Sequence, residues 1–139
     1  MTIIHNIDNL ELNNHNKYCN HLMIVDDDKI SQTVLYNLTQ HYKNSNNVIL
    51  ADNGLQCLTY LSKTKLIDLI FMDINMPYMN GIEATKNIRQ TKKFEHYQLV
   101  PIVAVTAYET SIIDMNLFNE YIKKPITFEE LVTILEKYL

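Results

Sequence analysis

At 139 residues, with 47% apolar and 20% charged side chains, the chain has the make-up of one globular domain that buries a core without metal or disulfide staples. Its net charge of −4 and the lack of a basic stripe argue against nucleic-acid binding by bulk electrostatics. No apolar run reaches membrane-spanning length and no signal peptide opens the chain, so no membrane contact is expected and a cytoplasmic location is the default.

Residues 1–20 hold six Asn and no sustained hydrophobic period, which reads as a flexible leader or linker ahead of a domain over 21–139. From His21 the pattern alternates. Leu22-Met23-Ile24-Val25 is a continuous apolar strand, and Ile30, Val34, Leu35 and Leu38 follow at helical spacing. Val48–Ala51 is a second strand, closed by the turn signal Asp52-Asn53-Gly54, and Leu55, Leu58 and Leu61 mark a second helix. Cys57 falls in that helix as a small core residue, whereas Cys19 lies near the leader; the pair shows no metal-ligand spacing. Strand three, Leu69-Ile70-Phe71-Met72, stops at Asp73, and Ile82, Thr85 and Ile88 give a third helix. Pro101–Val105 is strand four, with proline at the first position, where a missing N–H is tolerated. A weakly patterned fourth helix is expected around Ser111–Phe118, then a short strand Tyr121–Lys123. Thr127-Phe128-Glu129-Glu130 is a capping box opening a last helix with Phe128, Leu131, Val132 and Leu135 on one face.

Five such alternations, with strands apolar on both faces, predict an α/β fold: a doubly wound, five-stranded parallel sheet between helical layers. In such sheets, ligands gather at the carboxyl ends of the strands. Two strand ends carry acids. Asp26-Asp27-Asp28 follows strand one, and Asp73 follows strand three ahead of Ile74-Asn75-Met76-Pro77 and Asn80-Gly81. Three adjacent acids repel one another, and taken alone they read as a solvated turn with one Asp capping the next helix. If strands one and three are neighbours, however, their acids share one cluster, which suits Mg2+. Thr106 and Lys124 sit at the ends of strands four and five. Singly they read as a helix cap and a surface lysine; together with the acids they form a phosphoryl-binding constellation.

The stretches Leu22–Asp28, MDINMPYMNG (Met72–Gly81), AVTA (Ala104–Ala107) and Lys124-Pro125 resemble the receiver domain of two-component response regulators over roughly residues 20–139. The resemblance implies a flavodoxin-like sheet of order 2-1-3-4-5 and a phosphoacceptor domain that catalyses only its own phosphorylation and dephosphorylation. By it, Asp73 accepts the phosphoryl group from a histidine kinase or histidine phosphotransfer protein. Asp27, Asp73 and the backbone carbonyl of Asn75 hold Mg2+, and Asp26 acts through a coordinated water. Lys124 pairs with the phosphoryl group and Thr106 moves to hydrogen-bond it. Tyr121, equally readable as an ordinary half-buried strand residue, matches the aromatic that turns inward when the threonine moves. A cis Lys124-Pro125 bond is also implied. Asn75 and Tyr108 flank the approach of hydrolytic water, and a bulky Tyr108 is expected to lengthen the phosphoryl lifetime. One stretch departs from the family: between Thr106 and Lys124 the chain is about four residues short. The chain ends directly after the last helix, so no output domain is expected within it. Its motifs look more like those of hybrid kinases and phosphorelays than of DNA-binding regulators. A downstream protein target and a phosphorylation-dependent dimer are compatible with that reading.

Two other readings compete. Asp26-Asp27-Asp28 also resembles the D-x-D start of haloacid-dehalogenase-type phosphatases, with Asp26 as nucleophile and Asp28 as general acid. Against it, the chain has no later acidic pair after a strand, and the surroundings of Asp73 go unexplained. A pseudo-receiver used only for docking shares the fold, but the five functional side chains are intact.

Overall fold

The computed structural model describes residues 19–42, 47–107 and 116–139. Among them are strands β1 (His21–Val25), β2 (Asn47–Ala51), β3 (Leu69–Met72), β4 (Ile102–Thr106) and β5 (Glu120–Lys123). They form one parallel sheet in the order β2-β1-β3-β4-β5. The α-helices are α1 (Lys29–Tyr42), α2 (Gly54–Leu61), α3 (Gly81–Gln90) and α4 (Phe128–Tyr138), with a 3-10 helix over Lys92–Tyr97. The expected doubly wound sandwich is the observed one.

Alternation along each strand explains the two layers. On β1, Met23 and Val25 enter the core beneath α2, α3 and the 3-10 helix, while Leu22 and Ile24 enter the core beneath α1 and α4. Both faces of the strand are covered, so its four buried positions, Leu22–Val25, are all apolar. Phe94 and Tyr97 bring the 3-10 helix, which the periodicity did not reveal, into the first of these cores. Arg89 closes the same layer. Its guanidinium donates to the carbonyls of Leu117, Gln98 and Val100 and to Asn119 Oδ1 at 2.7–3.0 Å. Cys57 is fully buried, which pushes its thiol up to about 12 and leaves it a core side chain.

Several boundaries differ from expectation. Strand four runs Ile102–Thr106, one residue later than its apolar run, because Pro101 lacks an N–H; its carbonyl still accepts from Ile70 at 3.0 Å. Strand five begins at Glu120. The helix expected around 111–118 falls mostly outside the described residues, and 116–118 carry no helix.

The helical faces also need correction. In α1, Leu35 is buried, but Ile30 is 77% and Val34 47% exposed; in α4, Leu131, Ile134 and Leu135 are buried, but Phe128 is 41% exposed. Ile30 and Val34 border a cavity that strand residues Ile24, Phe71 and Val105 also line, so the apolar face of α1 is only partly covered. The capping box of α4 forms as expected, Thr127 and Glu130 each accepting the other's backbone N–H. No helix of the described residues is long and apolar enough to cross a membrane.

Thr85 on α3 is fully buried, and its hydroxyl has no hydrogen-bond partner among the described residues. An unmade hydrogen bond of this kind costs about 1–3 kcal/mol, and valine is close to isosteric with threonine. Thr85→Val is therefore expected to raise stability by about 1 kcal/mol in urea unfolding, with an unchanged m-value. A loss of stability would show that the hydroxyl has a partner in solution.

Candidate functional site

The three acids after β1 have different surroundings. Asp28 turns back to its own helix: its oxygens accept the N–H of Ile30 at 3.0 Å and the hydroxyl of Ser31 at 3.0 Å. Those two bonds, Ile30 first, hold its carboxyl below the usual range, so it is poorly suited to general-acid work. Asp26 is buried, with Oδ1 on the N–H of Asp28 at 2.9 Å and Oδ2 on Lys124 Nζ at 2.8 Å. Asp27 is exposed, and among the described residues its carboxylate takes no hydrogen bond.

Asp73, the residue after β3, is buried and faces this group; its Oδ2 lies 3.3 Å from the same Lys124 Nζ. The adjacency of β1 and β3 achieves this: Val25 pairs with Met72, and the N–H of Asp73 donates to the carbonyl of Val25 at 2.9 Å. Burial, and then the charge of Asp26, push the Asp73 carboxyl up to about 6, with Lys124 pulling the other way. For Lys124, burial disfavours the charge, but its hydrogen bond to Asp26 and the charges of Asp26 and Asp73 win and raise its pKa. The ammonium therefore stays charged between two carboxylates.

The loop after Asp73 is fixed by the chain's only two glycines. A Cβ on Gly81 would lie 2.0 Å from the carbonyl oxygen of Asp73, and one on Gly54 would meet Met79 Cγ and O at 2.8 Å. Gly81 donates to Ile74 at 2.9 Å and Gly54 to Met79 at 3.1 Å. Only glycine permits both close approaches. The Asn80 side chain then caps α3 by accepting from Glu83 N–H at 2.8 Å. At the loop's apex Tyr78 takes φ 68, a left-handed conformation unusual for an aromatic residue. Asn75 is exposed, and no backbone hydrogen bond of the described residues uses its carbonyl.

Thr106 ends β4 and is fully buried, and its carbonyl accepts from the N–H of Lys124 at 2.8 Å, tying the ends of β4 and β5 together. Lys124-Pro125 is cis. Tyr121 pairs with Ala104 and is half-buried against the core under α2 and α3. Tyr108 lies outside the described residues.

Gln32 was not singled out from the sequence, where a polar residue on a helix gives no signal. Buried on α1, its Nε2 lies within reach of the carbonyls of Asp26 at 3.2 Å and Ala51 at 3.0 Å, and of Asp52 Oδ1 at 3.3 Å. Lys29 pairs with the same Asp52 oxygen. Gln32 thereby ties α1 to the ends of β1 and β2 and fixes the backbone from which Asp26 projects.

Oxygen atoms of Asp26, Asp27 and Asp73 all lie within 4.8 Å of one another. Three carboxylates against one ammonium leave two negative charges uncompensated, the charge of one divalent cation. The donors are hard oxygens with no His or Cys among them, which fits Mg2+ and not a soft metal.

Without a divalent cation, Asp73 is a charge in an unfavourable place. Its folded pKa of about 6 lies above the ordinary 3.8, so the folded state binds the extra proton between these values, and the penalty is complete only above about 6. Asp73→Asn is expected to stabilise the chelator-treated protein by about 1–3 kcal/mol at pH 7.5, a gain that fades towards about pH 4. Urea unfolding at both pH values checks this; a variant less stable than wild type at pH 7.5 would contradict it.

The model of the response regulator receiver domain family matches residues 22–136. Hybrid signal transduction histidine kinase E of Dictyostelium discoideum is 33% identical over 120 residues, 84% of this chain but 7% of that protein. Two-component response regulator 24 of Arabidopsis thaliana is 31% identical over 115 residues, covering 83% of this chain and 81% of the relative. The chain thus spans a small fraction of the kinase and most of the response regulator. Among solved structures, the receiver domain of a Pseudomonas aeruginosa sensor histidine kinase, with magnesium coordinated in its active-site cleft, matches with TM-score 0.73 and 28% identity, covering 86% of this chain and 96% of that one. A Thermotoga maritima response regulator in complex with Mg2+ and BeF matches with TM-score 0.72 and 28% identity, covering 86% and 99%. Sheet order, motifs and family match agree: this chain belongs to the response regulator receiver domain family of two-component signalling.

Proposed function

We propose that this chain is a phosphoacceptor switch whose Asp73 takes a phosphoryl group from a histidine kinase or histidine phosphotransfer protein in a Mg2+-dependent reaction. The observation that carries the reading is the buried Asp26–Lys124–Asp73 triad beside the uncommitted carboxylate of Asp27. On this reading, an oxygen of Asp73 attacks phosphorus, the P–N bond of phosphohistidine breaks, and its electron pair returns to the imidazole nitrogen. With an acyl phosphate donor the P–O bond breaks instead and a carboxylate leaves. Asp73 is ionised above about pH 6, so it needs no general base. Catalysis then rests on positioning and on charge already in place.

Asp27, Asp73 and the carbonyl of Asn75 are the assigned Mg2+ ligands, with Asp26 acting through a coordinated water because both its oxygens already hold protein donors. When bound, Mg2+ supplies positive charge to the oxygens of the transferring phosphoryl group. Lys124 supplies the second positive charge, leaving Asp73 for the incoming phosphoryl. Thr106 and Tyr121 are assigned the switch, the hydroxyl moving to the phosphoryl group and the ring following it inward. The protein turns over no separate substrate on this reading; residues 21–139 are its receiver unit and the cytoplasm its place of action. Exposed Ile30 and Val34 line, with Pro125 and Ile126, an apolar cavity of about 370 Å³ that reaches Asp73. Such a surface supports a protein donor docking on α1.

Intact mass after incubation with acetyl phosphate tests the proposal. One phosphoryl adduct is expected on the wild type with Mg2+, removed by hydroxylamine and abolished by chelation or by Asp73→Asn. Lys124→Met is expected to keep the Mg2+ site while slowing adduct formation by about 10²-fold or more. An adduct that persists in Asp73→Asn on another residue would reassign the acceptor.

A further inference from the structure

At the end of β3 away from Asp73 lies a group of basic side chains, with the exposed acids Asp68 and Glu95 close to it in the chain. A cavity of about 500 Å³ opens between the α2–β3 loop and the 3-10 helix, lined by Lys63, Lys65, Lys93 and His96 with Thr64 and Tyr97 and by no carboxylate. The sequence shows no basic stripe because Lys63 and Lys65 are separated by about thirty positions from Lys93 and His96. The fold alone brings them together. Among the described residues none of the three lysines pairs with a carboxylate, and Lys93 Nζ lies over the Phe94 ring at 5.8 Å.

The loop that carries two of these lysines is braced from beneath. The Tyr97 hydroxyl donates to the carbonyl of Thr64 at 2.6 Å and accepts from the N–H of Ile67 at 3.4 Å. His96 Nε2 donates to the carbonyl of Lys65 at 3.1 Å, and the N–H of Leu66 donates to the Thr64 hydroxyl at 3.2 Å. Tyr97 and Thr64 are each 3% exposed, so the phenol brace is part of the core, while the His96 contact lies at the surface. They use backbone carbonyls, a phenol and an imidazole, and none of the ammonium groups. Holding the loop therefore does not require lysine at 63 or 65. Three lysines line one concavity whose lining holds no carboxylate, Asp68 and Glu95 lying outside it, and a bound anion relieves their mutual repulsion.

We propose that this cavity binds a small organic polyphosphate, with Lys63, Lys65 and Lys93 on the phosphates and the partly exposed side chain of Leu66 against the uncharged part. Its volume is in the range of small-molecule sites, and lysine is a good point-charge partner for phosphate. Pre-formed bracing of the loop lowers the ordering cost of binding. The site lies at the end of β3 opposite Asp73, so it is separate from the phosphoacceptor pocket.

The test is an amide-resolved NMR titration of the full chain in Mg2+-free buffer at about 150 mM salt, where long-range surface attraction is screened. The probes are ATP, inorganic tripolyphosphate and adenosine. ATP or tripolyphosphate is expected to shift the amides of 62–66 and 93–97 with a saturable Kd of about 1 mM or tighter, and adenosine to leave them unmoved. Equal affinity for the two anions assigns the binding to phosphate alone, and tighter binding of ATP adds the apolar lining; either supports the site. A triple variant, Lys63→Gln, Lys65→Gln and Lys93→Gln, is expected to weaken binding at least about tenfold while keeping the wild-type unfolding midpoint and the adduct at Asp73. No saturable shift, shifts confined to the Asp73 end, or unchanged affinity in the triple variant would overturn the proposal.

Discussion

One ammonium group organises the carboxyl edge of the sheet. Lys124 Nζ sits 2.8 Å from Asp26 and 3.3 Å from Asp73, and through these contacts β5 is joined electrostatically to β1 and β3 across the intervening β4. Two buried carboxylates facing each other are costly. A single lysine offsets part of that cost and leaves a deficit which, with Asp27, a divalent cation can fill. The same imbalance links stability to chemistry: the residue placed at an energetic disadvantage is Asp73, the one that a phosphoryl group would modify.

The rest of the architecture holds this imbalance in place. The parallel sheet brings β1 beside β3, so two acids that are 47 positions apart share a pocket. Gly54 and Gly81 let the loop after Asp73 pack against backbone, with no side chain between them. Gln32 and the Lys29–Asp52 pair fix the ends of β1 and β2 from the α1 side. Exposed Ile30 and Val34 border, with Pro125 and Ile126, the cavity that reaches Asp26 and Asp73. An apolar collar around a charged pocket suits contact with another protein more than isolated life in water.

Much of this was legible in the residues. Uniformly apolar strands specified a sheet covered on both faces, and acids, a hydroxyl and an amine at successive strand ends specified which edge matters. What escaped depends on three-dimensional position. Ile30, Val34 and Phe128 carry helical periodicity, but periodicity does not tell which part of an apolar face the fold covers. Gln32 shows its role only once three oxygens from β1, β2 and Asp52 converge on it. Lys63, Lys65 and Lys93 are unremarkable along the chain and adjacent only after folding. The 3-10 helix is six residues long, too short to show a clear period in the sequence.

The claim at the centre of this account is that three carboxylates and one ammonium make a pocket for one divalent cation. Calorimetric titration of the chelator-treated protein with Mg2+ measures this directly. A single site of about millimolar Kd is expected, with binding at least about tenfold weaker in Asp27→Asn although that variant folds normally. No saturable heat up to about 20 mM Mg2+, or equal affinity in Asp27→Asn, would contradict it.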